Sequence, residues 1–145
     1  MLDQIQADLK DAQLAKDQIR ISTLRMLLSE IHNREIQKGG QLSGQDVIQV
    51  IQREVKKRKE AAGGFRQGGR EEAALKEESE LKILESYLPA QLSTEELTEL
   101  VEQTIKEVGA SSADIGKVMS ALMPKIAGRA DGGIVSALVR EKLTT

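Results

Sequence analysis

Apolar positions recur at intervals of three and four along almost the whole chain, which is the period of a helix face. Leu2, Ile5, Leu9 and Ala12 predict a first helix over about residues 2–16. Asp17 offers a cap for a second, in which Ile21, Leu24, Leu27, Leu28 and Ile31 form one stripe as far as Lys38. Gly39-Gly40 then stops it, because glycine gives up the most backbone freedom in a helix. Ser43 and Asp46 have the form of a capping box, although the usual second member is Glu or Gln. Val47, Ile48, Ile51 and Val55 face inward on the third helix that follows. Gly63-Gly64-Phe65-Arg66-Gln67-Gly68-Gly69 predicts a mobile tip. A fourth helix from Glu71 to Leu88 carries Leu81, Leu84 and Leu88, widened by Leu75 and Ile83, and should fold back on the third as an antiparallel hairpin.

Leu88-Pro89 separates this part from the rest, since proline disfavours α geometry in the residue before it. Ser93 with Glu96 is a capping box with the usual partner and opens a fifth helix through Val108, closed by Gly109. Leu97, Leu100, Val101, Ile105 and Val108 are its inner face. Ser111 or Ser112 should cap a sixth helix whose Val118, Met119, Leu122, Met123 and Ile126 are buried, with Pro124 kinking or shortening its end. Asp131 caps a seventh, with Ile134, Val135, Leu138, Val139 and Leu143 inward. The reading is all-α: an N-terminal helical domain over residues 1–90 with a long antiparallel hairpin, and a three-helix domain over 91–145.

Composition supports helices over strands. Phe65 and Tyr87 are the only aromatics, and Gln, Glu, Lys, Arg, Ala and Leu dominate. The formal net charge of −2 argues against binding nucleic acid by gross attraction. Its distribution is uneven. From Gln91 to Ile115, Lys106 stands against Glu95, Glu96, Glu99, Glu102, Glu107 and Asp114; from Gly116 onward Lys117, Lys125, Arg129, Arg140 and Lys142 stand against Asp131 and Glu141. The absence of cysteine excludes disulfides and thiolate chemistry. No apolar run approaches a membrane span, and Asp3 and Asp8 replace the basic start of a signal peptide, so a soluble cytoplasmic protein is expected.

No catalytic constellation can be assembled: His32 is the sole histidine, and neither a serine triad, an HExxH nor a P-loop glycine pattern is present. No metal or cofactor is expected. Arg53, Lys56, Lys57, Arg58 and Lys59 form the densest basic run, spread around a helix as a solvated face or, with the second helix's arginines, as a positive flank for RNA. A second candidate lies near the end of the chain. Helix N-termini combine unsatisfied N–H groups with partial positive charge and suit phosphate oxygens. Ser112, Gly116 and Lys117 lie at the start of the sixth helix, and Gly128 and Arg129 precede the seventh, with Lys125 nearby. The glycines serve equally well as packing and turn residues.

Glu85-Ser86-Tyr87-Leu88-Pro89-Ala90-Gln91-Leu92, Val108-Gly109-Ala110-Ser111, Gly116-Lys117-Val118-Met119, Leu122-Met123-Pro124-Lys125 and Gly128-Arg129-Ala130-Asp131-Gly132 resemble the YqeY (GatB/YqeY) family. Arg25-Met26 and the run from Arg53 to Lys59 are similar to it as well, so the resemblance covers essentially the whole chain. These bacterial proteins are similar to the tail domain of the B subunit of the tRNA-dependent amidotransferase. The resemblance implies a helical domain joined to a three-helix tail that contacts tRNA, with glutamine hydrolysis, ATP use and amide transfer left to domains this chain lacks. Gly132 stands where amidotransferase tails commonly have proline, which fits the free-standing family. Under this reading Lys117, Lys125 and Arg129 meet phosphates, Ser112, Gly116 and Gly128 allow close backbone approach, and all must converge on one concave spot. The alternative is a protein-interaction module, with the charged N-terminal hairpin docking a partner.

Overall fold

The computed structural model describes residues 1–109 and 114–144. Among them the chain forms seven α-helices and no strand: α1 (Leu2–Ala15), α2 (Gln18–Lys38), α3 (Gly44–Gln67), α4 (Glu71–Glu85), α5 (Thr94–Val108), α6 (Ile115–Ile126) and α7 (Gly132–Thr144). The all-α reading holds. The chain divides into two compact units, Met1–Leu88 and Pro89–Thr145.

In the first unit α3 and α4 pair along their length, α1 lies on α2, and α2 touches both members of the hairpin. Ile5, Leu24, Leu27, Ile31, Ile51 and Leu84 are wholly or almost wholly buried between them. Local chemistry sets the ends. Asp17 accepts the Arg20 N–H and starts α2. The Ser43–Asp46 box closes in both directions at α3. Aspartate replaces the longer glutamate there, and Lys38 holds the same carboxylate at 2.7 Å, depressing its pKa to about 2.

Three expectations about the hairpin are corrected. Gly63 and Gly64 do not break the helix: α3 continues through them to Gln67, and only Gly68, Gly69 and Arg70 turn. Side chains anchor the tip. The Arg66 guanidinium donates to Glu71 and Glu78, and Arg70 stands 5.2 Å from the centroid of the Phe65 ring. Leu75, expected in the stripe, is exposed. At the other end α4 stops at Glu85, short of Leu88, where N–H groups of Tyr87 and Leu88 reach back three residues to Leu84 and Glu85.

This early stop turns Tyr87 toward α1, where its hydroxyl donates to Asp8. Burial, then the bond to a charged carboxylate, pushes the phenol above its ordinary value, and the same bond pulls Asp8 below its own. A folded pKa above the unfolded one gives stability that is complete below about pH 10 and is lost as pH rises through the folded value. With no tryptophan and one tyrosine, ultraviolet absorbance reads this group alone. Tyr87 should remain protonated past pH 10, and Asp8→Ala should bring its midpoint part of the way down. A wild-type midpoint at the free-tyrosine value would contradict the contact.

In the second unit α5, α6 and α7 pack pairwise around Leu97, Val101, Val118, Leu122, Ile126, Val135 and Val139. Ser93 and Glu96 form the predicted capping box, and Gly109 ends α5 in the left-handed region. Pro124 sits inside α6, which runs on to Ile126. Met123 and Ile134, expected inward, are 44% and 61% exposed. The stripe at Val118, Leu122 and Ile126 already fills the face that α5 and α7 cover, so Met123 falls on its outer margin. The proposed caps Ser111 and Ser112 lie outside the described residues.

Candidate nucleic-acid interface

The predicted contact residues of the second unit that the structure describes lie toward the two ends of α6. Gly116 and Lys117 occupy its first turn, exposed to solvent, and no atom stands within 4 Å of where a Cβ on Gly116 would be. Asp114 occupies the N-cap without a side-chain capping bond. Gly116 and Lys117 thus sit at the positive end of the helix dipole. Ser112, predicted beside them, lies outside the described residues.

From Lys117 to Ile126 the helix advances roughly 14 Å at about 1.5 Å per residue, so Gly128 and Arg129 lie beyond its opposite end. Gly128 adopts φ +74°, the left-handed conformation in which a side chain is strained, and this accounts for glycine there. The turn is stitched to the segment before α5. Arg129 Nε donates to the Ala90 carbonyl at 3.1 Å, Leu92 N–H donates to the Arg129 carbonyl at 2.9 Å, and Gln91 Nε2 donates to the Gly128 carbonyl at 2.9 Å. Arg129 therefore has a bracing role through its Nε.

Lys125 points toward α5. Its Nζ lies 2.8 Å from Glu107 Oε2 and donates to Thr104 Oγ1 at 3.3 Å. Such a half-exposed ion pair contributes about 0–1 kcal/mol, weak enough for a phosphate to compete with. At the start of α7, Asp131 Oδ1 accepts the Gly133 N–H at 2.7 Å, so each of the two helix starts carries an aspartate. The structure therefore groups Gly116 with Lys117 and Gly128 with Arg129, turns Lys125 to α5, and does not gather all of them into one concave spot.

The basic run of α3 divides as well. Arg58 turns inward, half-buried, and donates to Glu77 at 2.8 Å and to the buried Glu80, both on α4. Lys56 and Lys59 are exposed. Arg53 and Lys57 line a groove between α2 and α3 together with Arg34, and Glu30 and Glu54 line it too. The positive flank thus exists only in mixed company. Sequence reading missed the two glutamates, whose signal was their spacing: Glu30 is one turn before Arg34, and Glu54 one turn before Lys57. His32 is exposed.

Among the described residues the chain is all-helical, with four helices in its first unit and three in its second. The Yqey-like protein family matches residues 2–143, and the chain belongs to that family. It is 29% identical over 145 residues to the "Altered inheritance of mitochondria protein 41, mitochondrial" of Pyrenophora tritici-repentis, a match covering 97% of this chain and 80% of that protein. The proteins of the same name from Kluyveromyces lactis and Vanderwaltozyma polyspora are 36% and 32% identical over 115 and 107 residues. Those matches cover 77% and 72% of this chain, but only 62% and 58% of the relatives. These relatives are named as mitochondrial proteins, and that overturns the expectation of a generic cytoplasmic protein. The sequence patterns behind that expectation address secretion and membrane spanning only, and they are silent on organelles. Among the described residues no helix is long and apolar enough to cross a membrane.

Proposed function

We propose that this YqeY-family chain is an accessory RNA-contacting protein that meets tRNA through the start of α6. One observation carries the reading: Gly116 and Lys117 are exposed on the first turn of α6, and no described atom stands within 4 Å of where a Cβ on Gly116 would be. Backbone N–H groups, helix dipole and ammonium there all favour a phosphate oxygen. The resemblance to the amidotransferase tail supports tRNA as the RNA. Folded RNA offers phosphates and 2′-hydroxyls in a fixed shape, readable without base stacking. That matters because Tyr87 bonds to Asp8 and Phe65 lies under Arg70, which leaves no aromatic platform for bases. Lys125 and the Arg129 turn are secondary contacts, each engaged within the protein. The mitochondrial names of the relatives support a mitochondrial setting, so mitochondrial and bacterial tRNA are both the ligands to offer.

The test compares tRNA affinity of wild type and Lys117→Ala/Arg129→Ala. A loss of about ten- to a hundredfold, uniform across tRNA sequences, is the expected result for removing phosphate contacts. Equal affinity of the two proteins would remove α6 from the interface. A second reading, a helical protein-interaction module, draws on the pairing of Lys125 with Glu107 and the lack of stacking residues. Partners that co-purify equally with and without nuclease treatment, from a protein that does not bind tRNA, would favour it.

A further inference from the structure

The groove between α2 and α3 holds charges of both signs, of which Glu54 and Lys57 pair with each other. It encloses about 230 Å³, below the usual range of about 300–1,000 Å³ for drug-sized ligands. Arg34 donates to the Gln37 amide oxygen at 3.3 Å, leaving its charge uncompensated by that bond. Glu54 is only 5% exposed, yet its cationic partner among the described residues is Lys57, 3.3 Å away on a side chain that is 69% exposed. A buried carboxylate held by one solvent-swept lysine is under-compensated, because burying a charge is costly unless pairing is good. Arg53 and Glu30 line the same groove and are not bonded to each other in the structure.

We propose that this groove binds a small zwitterion of the free α-amino-acid type, its carboxylate toward Arg34 and Arg53 and its ammonium toward Glu54 and Glu30. A polyanion suits the site poorly. Arg34, Arg53 and Lys57 less Glu30 and Glu54 leave a net charge of +1 on the lining, and both glutamates repel phosphate. A simple cation meets three positive groups. A molecule carrying both charges a few ångströms apart satisfies each side, and the volume fits one of amino-acid size. This inference concerns the first unit and stands apart from the RNA reading.

The test is a 1H–15N NMR titration of the full chain with L-serine and L-asparagine, against acetate, methylammonium and inorganic phosphate as single-sign controls. Saturable shifts in the Asn33 and Gln37 side-chain amides are expected with the amino acids, at concentrations up to about 10 mM. The controls should bind at least about tenfold more weakly. Arg53→Gln and Glu30→Gln should each weaken binding about tenfold. Should one variant misfold by circular dichroism, the other decides. No saturable shift with either amino acid would overturn the proposal. So would phosphate binding as tightly as the zwitterions, or both variants binding like wild type.

Discussion

Arg58→Ala should destabilise the Met1–Leu88 unit by about 3–5 kcal/mol, the cost of leaving a buried carboxylate without its cation. Glu80 is 7% exposed and receives the Arg58 guanidinium directly, while Glu77 takes the same nitrogen at 2.8 Å. Met26 Sδ lies 3.6 Å from Nη2, so the guanidinium touches α2 as well as α4. Removing it strands Glu80 between helices with no room for a full shell of water. The pair is not a pure asset, since Arg58 Nε is buried with no hydrogen-bond partner. Replacing both partners, as in Arg58→Leu/Glu80→Leu, should therefore recover most of the loss. Urea titration followed by circular dichroism measures both. A single-variant loss under 1 kcal/mol, the range of exposed pairs, would show that water reaches Glu80 freely.

Leu122→Ala should cost about 2–5 kcal/mol in the Pro89–Thr145 unit, where Leu122 is fully buried. Small units of this size hold on the order of 0.05–0.15 kcal/mol per residue, so one such cavity consumes much of the total. Amide exchange in α5, α6 and α7 should accelerate together, because Leu122 belongs to the one apolar cluster that all three helices share. Met123→Ala, on the exposed side of the same helix, should change stability by no more than about 0.5 kcal/mol. Unchanged protection in Leu122→Ala would contradict the packing.

What the sequence made legible was whatever rests on local chemistry. The Asp17 cap, the Ser43–Asp46 and Ser93–Glu96 boxes and the stop at Gly109 each depend on residues a few positions apart, and each predicted helix start or end formed. The errors came where distant side chains decide. Gly63 and Gly64 read as a break, but Arg66 reaching Glu71 and Glu78 holds the helix through them. Arg58 read as surface because helical spacing cannot show that two glutamates of α4 lie opposite it. Met123 and Ile134 fit the apolar period, yet three thin helices cover only a narrow face of each neighbour. At the candidate interface the residue types were readable and their grouping was not. Nothing in the spacing of Lys125 announces Glu107, and nothing in Gly128-Arg129 announces the carbonyls of Ala90 and Gln91's reach to the turn.

The central claim, that α6 presents a phosphate-binding start to tRNA, is tested most directly by tRNA affinity as a function of salt. Each phosphate contact contributes a slope of about 0.7–0.9 in a plot of log affinity against log salt. Contacts at Lys117 and at the Arg129 turn predict a wild-type slope of about 1.5, falling by nearly one in Lys117→Ala. Absence of tRNA binding at low salt, or a slope that Lys117→Ala leaves unchanged, would contradict the account.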